Sequence, residues 1–311
     1  MRKTVPVADR EAWHAIRKKT VGASEVAALF GASPFMTEFQ LWHIKAGTID
    51  SGFAESDRMF WGNQLETVIA NGIAEKEGWE IRNVEEYTLH PTIEGMGASL
   101  DFEILKSPFG TAALEIKNID KFVYQDKYVK PDESEEPPLH YQLQIQHQLA
   151  CCPDLEYGVN GVLIGGNEHR VFPLKRRNDV IKTIEDRVGA FWESIKAGNE
   201  PALSVGDYTV VSQLYRSPTK DKTVDFSSSK EVIEACNSLT EIREQIKKLT
   251  EAEELLKAEL ISTIKDAEIA LVPGYTFTYK TVVKQPYMVN PKPYRSLNIK
   301  PKKEKIKNGS K

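Results

Sequence analysis

Residues 99–117 constrain the fold of this chain more than any other stretch. The segments 99–104 (SLDFEI) and 111–117 (TAALEIK) alternate polar and apolar residues, which is the period of a half-buried β-strand. Between them, residues 107–110 (SPFG) have the composition of a turn. We therefore predict a β-hairpin centred on this turn.

The predicted hairpin gathers two carboxylates and an ammonium group on one face. A period of two places Glu115 and Lys117 together and Ile116 towards the core, and the turn brings Asp101 beside them. Carboxylate oxygens are the ligands of a hard cation such as Mg²⁺, with the Ile116 carbonyl as a further donor. Lys117 would then reach a metal-bound water or a phosphate oxygen, as in water attack on a phosphodiester. The alternative is a solvated strand face with one Lys–Glu ion pair.

Length and composition are ordinary for a soluble globular protein. The chain has 311 residues, of which 28% are charged and 41% hydrophobic, and it carries no apolar run of membrane-spanning length. We also expect no signal peptide. Three cysteines provide neither a disulfide framework nor a four-thiolate cluster, which predicts a protein of the reducing cytoplasm. A net charge of −4 does not exclude DNA binding, because a local basic groove suffices for phosphate contact.

The order of apolar patterns predicts a mixed α/β layer fold. Strands are expected at 79–90, 159–164 and 168–172 besides the hairpin. Helices are expected at about 12–19, 25–30, 38–46, 60–74, 120–130, 139–149 and 176–197.

The second of these helices is a candidate anion site. Ser24 is predicted to be its N-cap, and a helix N-terminus with Arg17 nearby is suited to binding an anion. The alternative is a plain capped helix with a surface arginine.

Two further helices carry polar residues of interest. Glu66 lies among apolar neighbours on helix 60–74, and its alternative is an exposed face. The helix 139–149 contains four glutamines and two histidines. Zinc binding by His140 and His147 is disfavoured by their spacing of seven residues, whereas amide side chains can face a phosphate or a base.

The chain divides into four predicted segments. Residues 229–266 read as one long helix whose apolar spacings of three and four suggest a coiled-coil seam, with packing against its own domain as the alternative. The segments are a domain at 1–205, a linker at 206–228, the long helix with a β-hairpin region at 229–300, and a basic disordered tail at 301–311.

Six short motifs occur in an order that resembles the YqaJ-like viral recombinases, the group that includes the phage lambda exonuclease, within the PD-(D/E)XK nuclease superfamily. The resemblance covers about residues 10–200 and implies a restriction-endonuclease-like core, with a mixed central sheet flanked by helices. A C-terminal long helix and a small β extension would follow this core. The motifs are AWH at 12–14 with Arg17, GASE at 22–25, WG at 61–62 with Glu66, ASLD at 98–101, EIK at 115–117, and Tyr141 with Gln144 and Gln146.

The resemblance also implies roles for these residues. Asp101 and Glu115 match the metal-binding acids, Lys117 the catalytic lysine, and Glu66 an acid that completes the metal site. The residues that match a 5′-phosphate pocket are Arg17, Ser24, Ser99 and Gln144. Those that would contact DNA, or support residues that do, are Tyr141 and Gln146.

Two features depart from the family pattern. Leu100 stands where the motif that names the superfamily has proline. The residues beyond about 205 are absent from the compact lambda enzyme, and the resemblance assigns them no chemistry.

The activity implied is a Mg²⁺- or Mn²⁺-dependent exonuclease that degrades one strand of linear duplex DNA from its 5′ end. It would supply single strands to an annealing protein in the cytoplasm of a bacterium or an infected host, as a homo-oligomer, a ring-shaped trimer by resemblance, away from any membrane. The alternatives are a structure-selective endonuclease of the same superfamily, a non-catalytic DNA-end-binding module, and a coiled-coil scaffold.

Overall fold

The computed structural model describes residues 2–50 and 56–283 and divides the chain into two compact units, Met1–Leu214 and Tyr215–Lys311. Within these ranges, no helix has the length and apolarity needed to cross a membrane. The helices are α1 (Arg10–Lys18), a 3-10 helix (Val26–Phe30), α2 (Glu38–Lys45), α3 (Asp57–Glu77), α4 (Lys121–Lys127), α5 (Leu139–Cys151), α6 (Asn178–Ala197), α7 (Tyr208–Leu214) and α8 (Lys230–Ile264). The strands are β1 (Lys3–Pro6), β2 (Glu80–Asn83), β3 (Glu86–Leu89), β4 (Gly97–Ser99), β5 (Phe102–Lys106), β6 (Ala112–Ile119), β7 (Tyr157–Ile164), β8 (Glu168–Lys175), β9 (Ile269–Val272) and β10 (Tyr275–Thr278).

The first unit is built on a mixed five-stranded sheet with the order β2-β5-β6-β7-β8. Strands β6 and β7 are parallel, and the other neighbours are antiparallel. A smaller sheet has the order β1-β3-β4, and helices pack on the strands. The predicted mixed α/β class, with a mixed central sheet flanked by helices, is confirmed.

The hairpin predicted for residues 99–117 is confirmed, with a correction to its first strand. Strands β5 and β6 are antiparallel with Phe102 opposite Leu114, so Asp101 lies next to Glu115 across the ladder. Ser99, however, ends β4 in the smaller sheet, and the chain bends at Asp101 before β5 begins. The alternation through 99–104 therefore spans two strands in different sheets.

Two other predicted elements differ from the structure. The predicted strand 79–90 is divided between β2 in the larger sheet and β3 in the smaller one. The predicted helix at 25–30 is a short 3-10 helix, and Ser24 is not its N-cap. Instead the Glu25 carboxylate accepts a hydrogen bond from the Gly22 N–H at 2.8 Å, which removes a donor that the anion-site prediction had left free.

The first unit extends beyond the domain end predicted at residue 205. Helix α7 lies inside the predicted linker, and the buried Asp207 carboxylate just before it accepts hydrogen bonds from Ser204 and Thr37. Since Thr37 is the N-cap of α2, this acid fastens the segment to the rest of the unit.

The second unit contains the predicted long helix, α8, which begins after the N-cap Ser229. Within the segment predicted to contain a β-hairpin region, β9 and β10 form a two-stranded hairpin whose turn contains Gly274 at φ +81°. The predicted basic tail and residues 284–300 lie outside the described residues.

Helix α5 lies unusually close to strand β7 at Gly158. A Cβ atom added to Gly158 would be only 2.4 Å from Cγ2 of Ile145. Ile145 is fully buried, and its branched side chain on a helix has little freedom to move aside. Glycine at this position therefore sets the distance between α5 and the sheet.

We predict that Gly158→Ala destabilises the protein by about 1–3 kcal/mol, because overpacking forces α5 away from β7. The matched control is Gly72→Ala at an exposed position within α3, where an added Cβ meets nothing within 4 Å. That substitution should raise the free energy of unfolding by about 0.5–1 kcal/mol. Urea denaturation of both variants checks this, and an unchanged stability of Gly158→Ala would show that α5 packs more loosely than described.

Candidate active site

Acidic residues meet at the point where β5 begins beside the middle of β6. Asp101, in the bend before β5, accepts a hydrogen bond from the Ile116 N–H on its Oδ2 at 2.9 Å. Helix α3 packs on β6 and brings Glu66 to a groove that Ile116 and Lys117 also line. The structure thus brings together the four side chains that the sequence assigned to metal binding and catalysis.

Glu115 is held from two sides. It is only 3% exposed, its Oε1 pairs with the Lys117 ammonium, and its Oε2 accepts a hydrogen bond of 2.6 Å from Gln148 Nε2. The same Gln148 amide donates to the Ser99 carbonyl at 3.2 Å. A buried carboxylate without such partners would be strongly destabilising, so Gln148 is part of the site.

Gln148 was not among the residues predicted for the site. The available signal was that Gln144 and Gln148 are four residues apart and so share a helix face.

Two acids of the cluster have a raised pKa. Burial, followed by the charge of Glu115, raises the pKa of Asp101 well above its ordinary value. Burial and the Glu115 charge also raise the pKa of Glu66. Burial alone would lower the pKa of Lys117, but Glu115 and Asp101 outweigh it and raise that pKa. The cluster therefore carries more negative charge than Lys117 alone can compensate.

The donor set fits a hard divalent cation. Its groups are the carboxylates of Asp101, Glu115 and Glu66 and the Ile116 carbonyl, all oxygen donors of the kind that Mg²⁺ and Mn²⁺ prefer. In the part of the chain that the structure describes, no three Asp, Glu, His or Cys side chains are already close enough together to hold a metal ion. The Lys117 ammonium group pairs with one Glu115 oxygen. That oxygen would have to leave the ammonium group before it could bind a cation together with the other carboxylates.

A small cavity of about 220 Å³ lies beside this cluster. Ser24, Gln144 and Lys117 are among the residues that line it. Arg17 reaches the same place, since its Nη2 donates to Ser24 Oγ at 3.2 Å. Two of the residues predicted to bind a phosphate therefore line one cavity together with the lysine of the acidic cluster, and a third contacts the cavity through Ser24.

Trp13 connects the fourth predicted phosphate residue to this group. The Arg17 guanidinium stacks over the Trp13 ring at 4.5 Å from its centroid. The Trp13 indole N–H donates to Ser99 Oγ at 3.0 Å. Trp13 thus fixes the orientation of both Arg17 and Ser99, a role that sequence analysis did not assign to it.

A buried ion network holds Arg17 from behind. Arg17 pairs with Glu25 Oε1 at 3.0 Å, and Lys45 pairs with Glu25 Oε2 at 2.8 Å. Burial alone would raise the pKa of Glu25, but the charges of Arg17 and Lys45 outweigh it and lower that pKa. Two cations share one carboxylate, so the network has a net positive charge that suits an anion.

The remaining predicted residues divide into two groups. Tyr141 lies at the site, since its ring centroid is 5.2 Å from Lys117 Nζ. Gln146 does not: its amide donates to the Lys175 carbonyl at 2.8 Å and accepts from the Arg177 N–H at 2.9 Å, so it ties α5 to the end of β8.

The two histidines of α5 do not form a zinc site. His140 lines the groove in front of Lys117. His147 is fully buried, its Nε2 bonds to the Gly97 carbonyl at 2.9 Å, and burial lowers its pKa to about 4.

The groove in front of Lys117 has a volume of about 1020 Å³. Its lining includes Glu66 and Tyr141 as well as the exposed aromatic residues Phe35 and Trp61. The basic residue Arg58 also lines it. A groove lined by exposed aromatic side chains together with basic and acidic residues suits a phosphate-linked chain of bases.

We predict that Asp101→Asn raises the free energy of unfolding at pH 7 in metal-free buffer. The raised pKa of Asp101 means that stability is lost as pH increases above its ordinary value of 3.8. Asparagine keeps an acceptor oxygen for the Ile116 N–H but takes on no charge. The gain should shrink as the pH falls towards 4, because the carboxyl group is then increasingly protonated in both the folded and the unfolded protein.

Urea denaturation at several pH values measures this gain, and Glu75→Gln on the exposed face of α3 is the matched control. Equal changes in the free energy of unfolding for the two substitutions would show that the Asp101 carboxylate does not destabilise the folded protein.

Comparison with known proteins shows which proteins the region around this site resembles. Residues 12–153 match the model of the YqaJ-like viral recombinase domain, and this range contains every residue of the site described above. The uncharacterized protein YqaJ of Bacillus subtilis (strain 168) is 27% identical over 278 residues, which are 88% of this chain and 84% of that protein.

Two solved structures are similar at lower identity. The alkaline exonuclease LHK-Exo from Laribacter hongkongensis is 23% identical, with a TM-score of 0.49 over 61% of this chain and 94% of that one. A phage related exonuclease from Haemophilus somnus 129PT is 13% identical, with a TM-score of 0.44 over 57% of this chain and 94% of that one. Residues 12–153 thus resemble the YqaJ-like viral recombinase domain, and the chain is similar to YqaJ of Bacillus subtilis over most of its length.

Proposed function

We propose that this protein is a Mg²⁺- or Mn²⁺-dependent nuclease that removes nucleotides from the 5′ end of one strand of linear duplex DNA. The observation that carries the proposal is the position of Lys117. This lysine lines both the groove that contains Glu66 and the small cavity that contains Ser24 and Gln144. A phosphodiester in the groove would therefore lie close to a terminal phosphate in the cavity.

The residues of the site have separate tasks in this mechanism. Asp101, Glu115, Glu66 and the Ile116 carbonyl would hold the cation, which when bound lowers the pKa of a coordinated water and neutralises phosphoryl charge. Lys117 would supply a positive charge to the developing transition state. Gln148 keeps the Glu115 carboxylate in one orientation through its hydrogen bond of 2.6 Å.

The cavity favours an exonuclease over an endonuclease. Arg17, Ser24, Ser99 and Gln144 offer a guanidinium, two hydroxyls and an amide, which together suit a terminal phosphate with its additional charge. An internal phosphodiester carries less charge and continues in both directions. Fixing the terminal phosphate would determine which bond meets Lys117, and hence the polarity of digestion.

The same proposal extends to the role of the product. Digestion of one strand exposes the complementary strand, which a single-strand annealing protein would then bind. A ring-shaped trimer around the DNA, the form that family resemblance implies, would keep the enzyme on its substrate. Both statements rest on the family resemblance. Co-purification with an annealing protein tests the first, and the mass of the protein in solution tests the second.

We predict that the protein digests linear duplexes labelled at the 5′ end in the presence of Mg²⁺, and that EDTA abolishes digestion. Asp101→Ala should abolish hydrolysis while leaving end binding largely intact, because phosphate contacts elsewhere supply most of the affinity. Release of label, in parallel with gel-shift titration, measures the two properties. Cleavage of a closed circular duplex would support the endonuclease alternative, and binding without metal-dependent release would support the end-binding module.

Lys117→Ala should reduce the rate by about 10²–10³ with little change in metal affinity, since the lysine is assigned to transition-state charge and not to the cation. Turnover measured across a Mg²⁺ titration separates these effects. The matched control is Lys127→Ala, an exposed lysine that also lines the groove. If Lys117→Ala weakened the apparent metal affinity while saturated turnover stayed normal, the lysine would have a different role.

We predict that the parent protein digests 5′-phosphorylated ends much faster than 5′-hydroxyl ends. Arg17→Lys should slow only the phosphorylated ends, by about tenfold, since one charge-assisted hydrogen bond contributes roughly 1.5–3 kcal/mol. Lysine retains a positive charge for the buried Glu25, whereas Arg17→Ala would also leave that carboxylate short of one partner. Four rates, two proteins on two kinds of end, test the assignment, and equal slowing on both ends would remove the phosphate from this cavity.

A further inference from the structure

Helix α8 presents an apolar stripe that is exposed to solvent along most of its length and half-buried at Leu239. The helix has 35 residues, and its apolar side chains recur at spacings of three and four, the a and d positions of a seven-residue repeat. Leu249 is 71% exposed and Leu256 is 60% exposed. The stripe consists of Val232, Ala235, Leu239, Ile242, Ile246, Leu249, Leu256 and Leu260.

One charged residue interrupts this stripe and restricts what can cover it. Glu253 occupies the a position between Leu249 and Leu256. In a parallel pair of α8 helices, Glu253 would face Glu253 of the second copy, so two like charges would be buried together. In an antiparallel pair, an a position faces a d position, and this repulsion disappears.

The antiparallel arrangement with full overlap also gives Glu253 an opposite charge. When Ile246 faces Leu249 of the second copy, Glu253 faces Ile242, and Arg243 of that copy lies at the same height on the same side. In the same register, Leu239 faces Leu256 of the second copy. One register therefore covers the stripe and neutralises its only acid within the described helix.

We propose that α8 is a self-association helix that pairs in an antiparallel orientation with α8 of a second copy of this chain. The surface is the stripe defined above, and the pair has two-fold symmetry with its axis near Ile246 and Leu249. Glu253 already pairs with Lys257 within the single chain, so Arg243 of the second copy would complete a small charge network. This interface is independent of the proposed nuclease activity.

Two substitutions on the same helix test whether the stripe is the interface. Leu249→Glu places a charge at the symmetry axis, and we expect it to halve the mass of the full-length protein in sedimentation or light scattering. Leu255→Glu is the matched control, because Leu255 is 62% exposed but lies outside the stripe, and it should leave the mass unchanged. Halving is expected whatever other interface the protein has, since the α8 contact is two-fold. An unchanged mass for Leu249→Glu, or a parent protein that is monomeric, would overturn the proposal.

The native Cys236 tests the orientation. In the proposed register, Cys236 lies next to Lys257 of the second copy, whereas in a parallel pair it would lie next to Glu231. The other cysteines, Cys151 and Cys152, are buried, so an oxidant reports on this contact. Lys257→Cys should therefore form a disulfide-linked dimer in high yield and Glu231→Cys should not. Cross-linking of Glu231→Cys alone would mean a parallel pair, and cross-linking of neither would mean that another molecule covers the stripe; either result overturns the proposal.

Discussion

The burial of Glu115 is the interaction on which the site depends. This carboxylate is at the centre of the sheet, and it is tolerable there only because Lys117 and Gln148 satisfy its two oxygens. The position of Gln148 depends in turn on α5 lying close to β7, which Gly158 permits. The distance between one helix and the sheet thus controls the orientation of the central acid.

A second buried carboxylate, that of Glu25, has a corresponding role at the neighbouring cavity. Glu25 is paired with both Arg17 and Lys45, so it fixes the guanidinium while leaving the network with a net positive charge. One carboxylate therefore organises the acidic cluster and the other organises the basic pocket. Lys117 and the cavity it lines connect these two regions, which is the arrangement that the proposed cleavage next to a terminal phosphate would need.

The main feature of the second unit is an exposed apolar surface rather than a buried charge. Its long helix carries apolar side chains that the described part of the chain leaves exposed, and stripes of this kind are typical of helices that bind other helices. The placement of a single acid, Glu253, selects one orientation among those that the apolar pattern alone would allow. Charge here specifies the pairing, and apolar burial supplies its stability.

The sequence by itself determined the features that depend on neighbours along the chain. The alternation in residues 99–117, with its turn, placed Asp101 beside Glu115, because a hairpin register follows from local periodicity. Tertiary structure decided which polar side chains serve the site. Gln146 and Gln148 are two residues apart on the same helix, yet only Gln148 reaches Glu115. Helical periodicity shows which residues share a face but not what that face contacts. Glu25, expected in the first turn of a helix, has a buried carboxylate that two cations hold in an ion network.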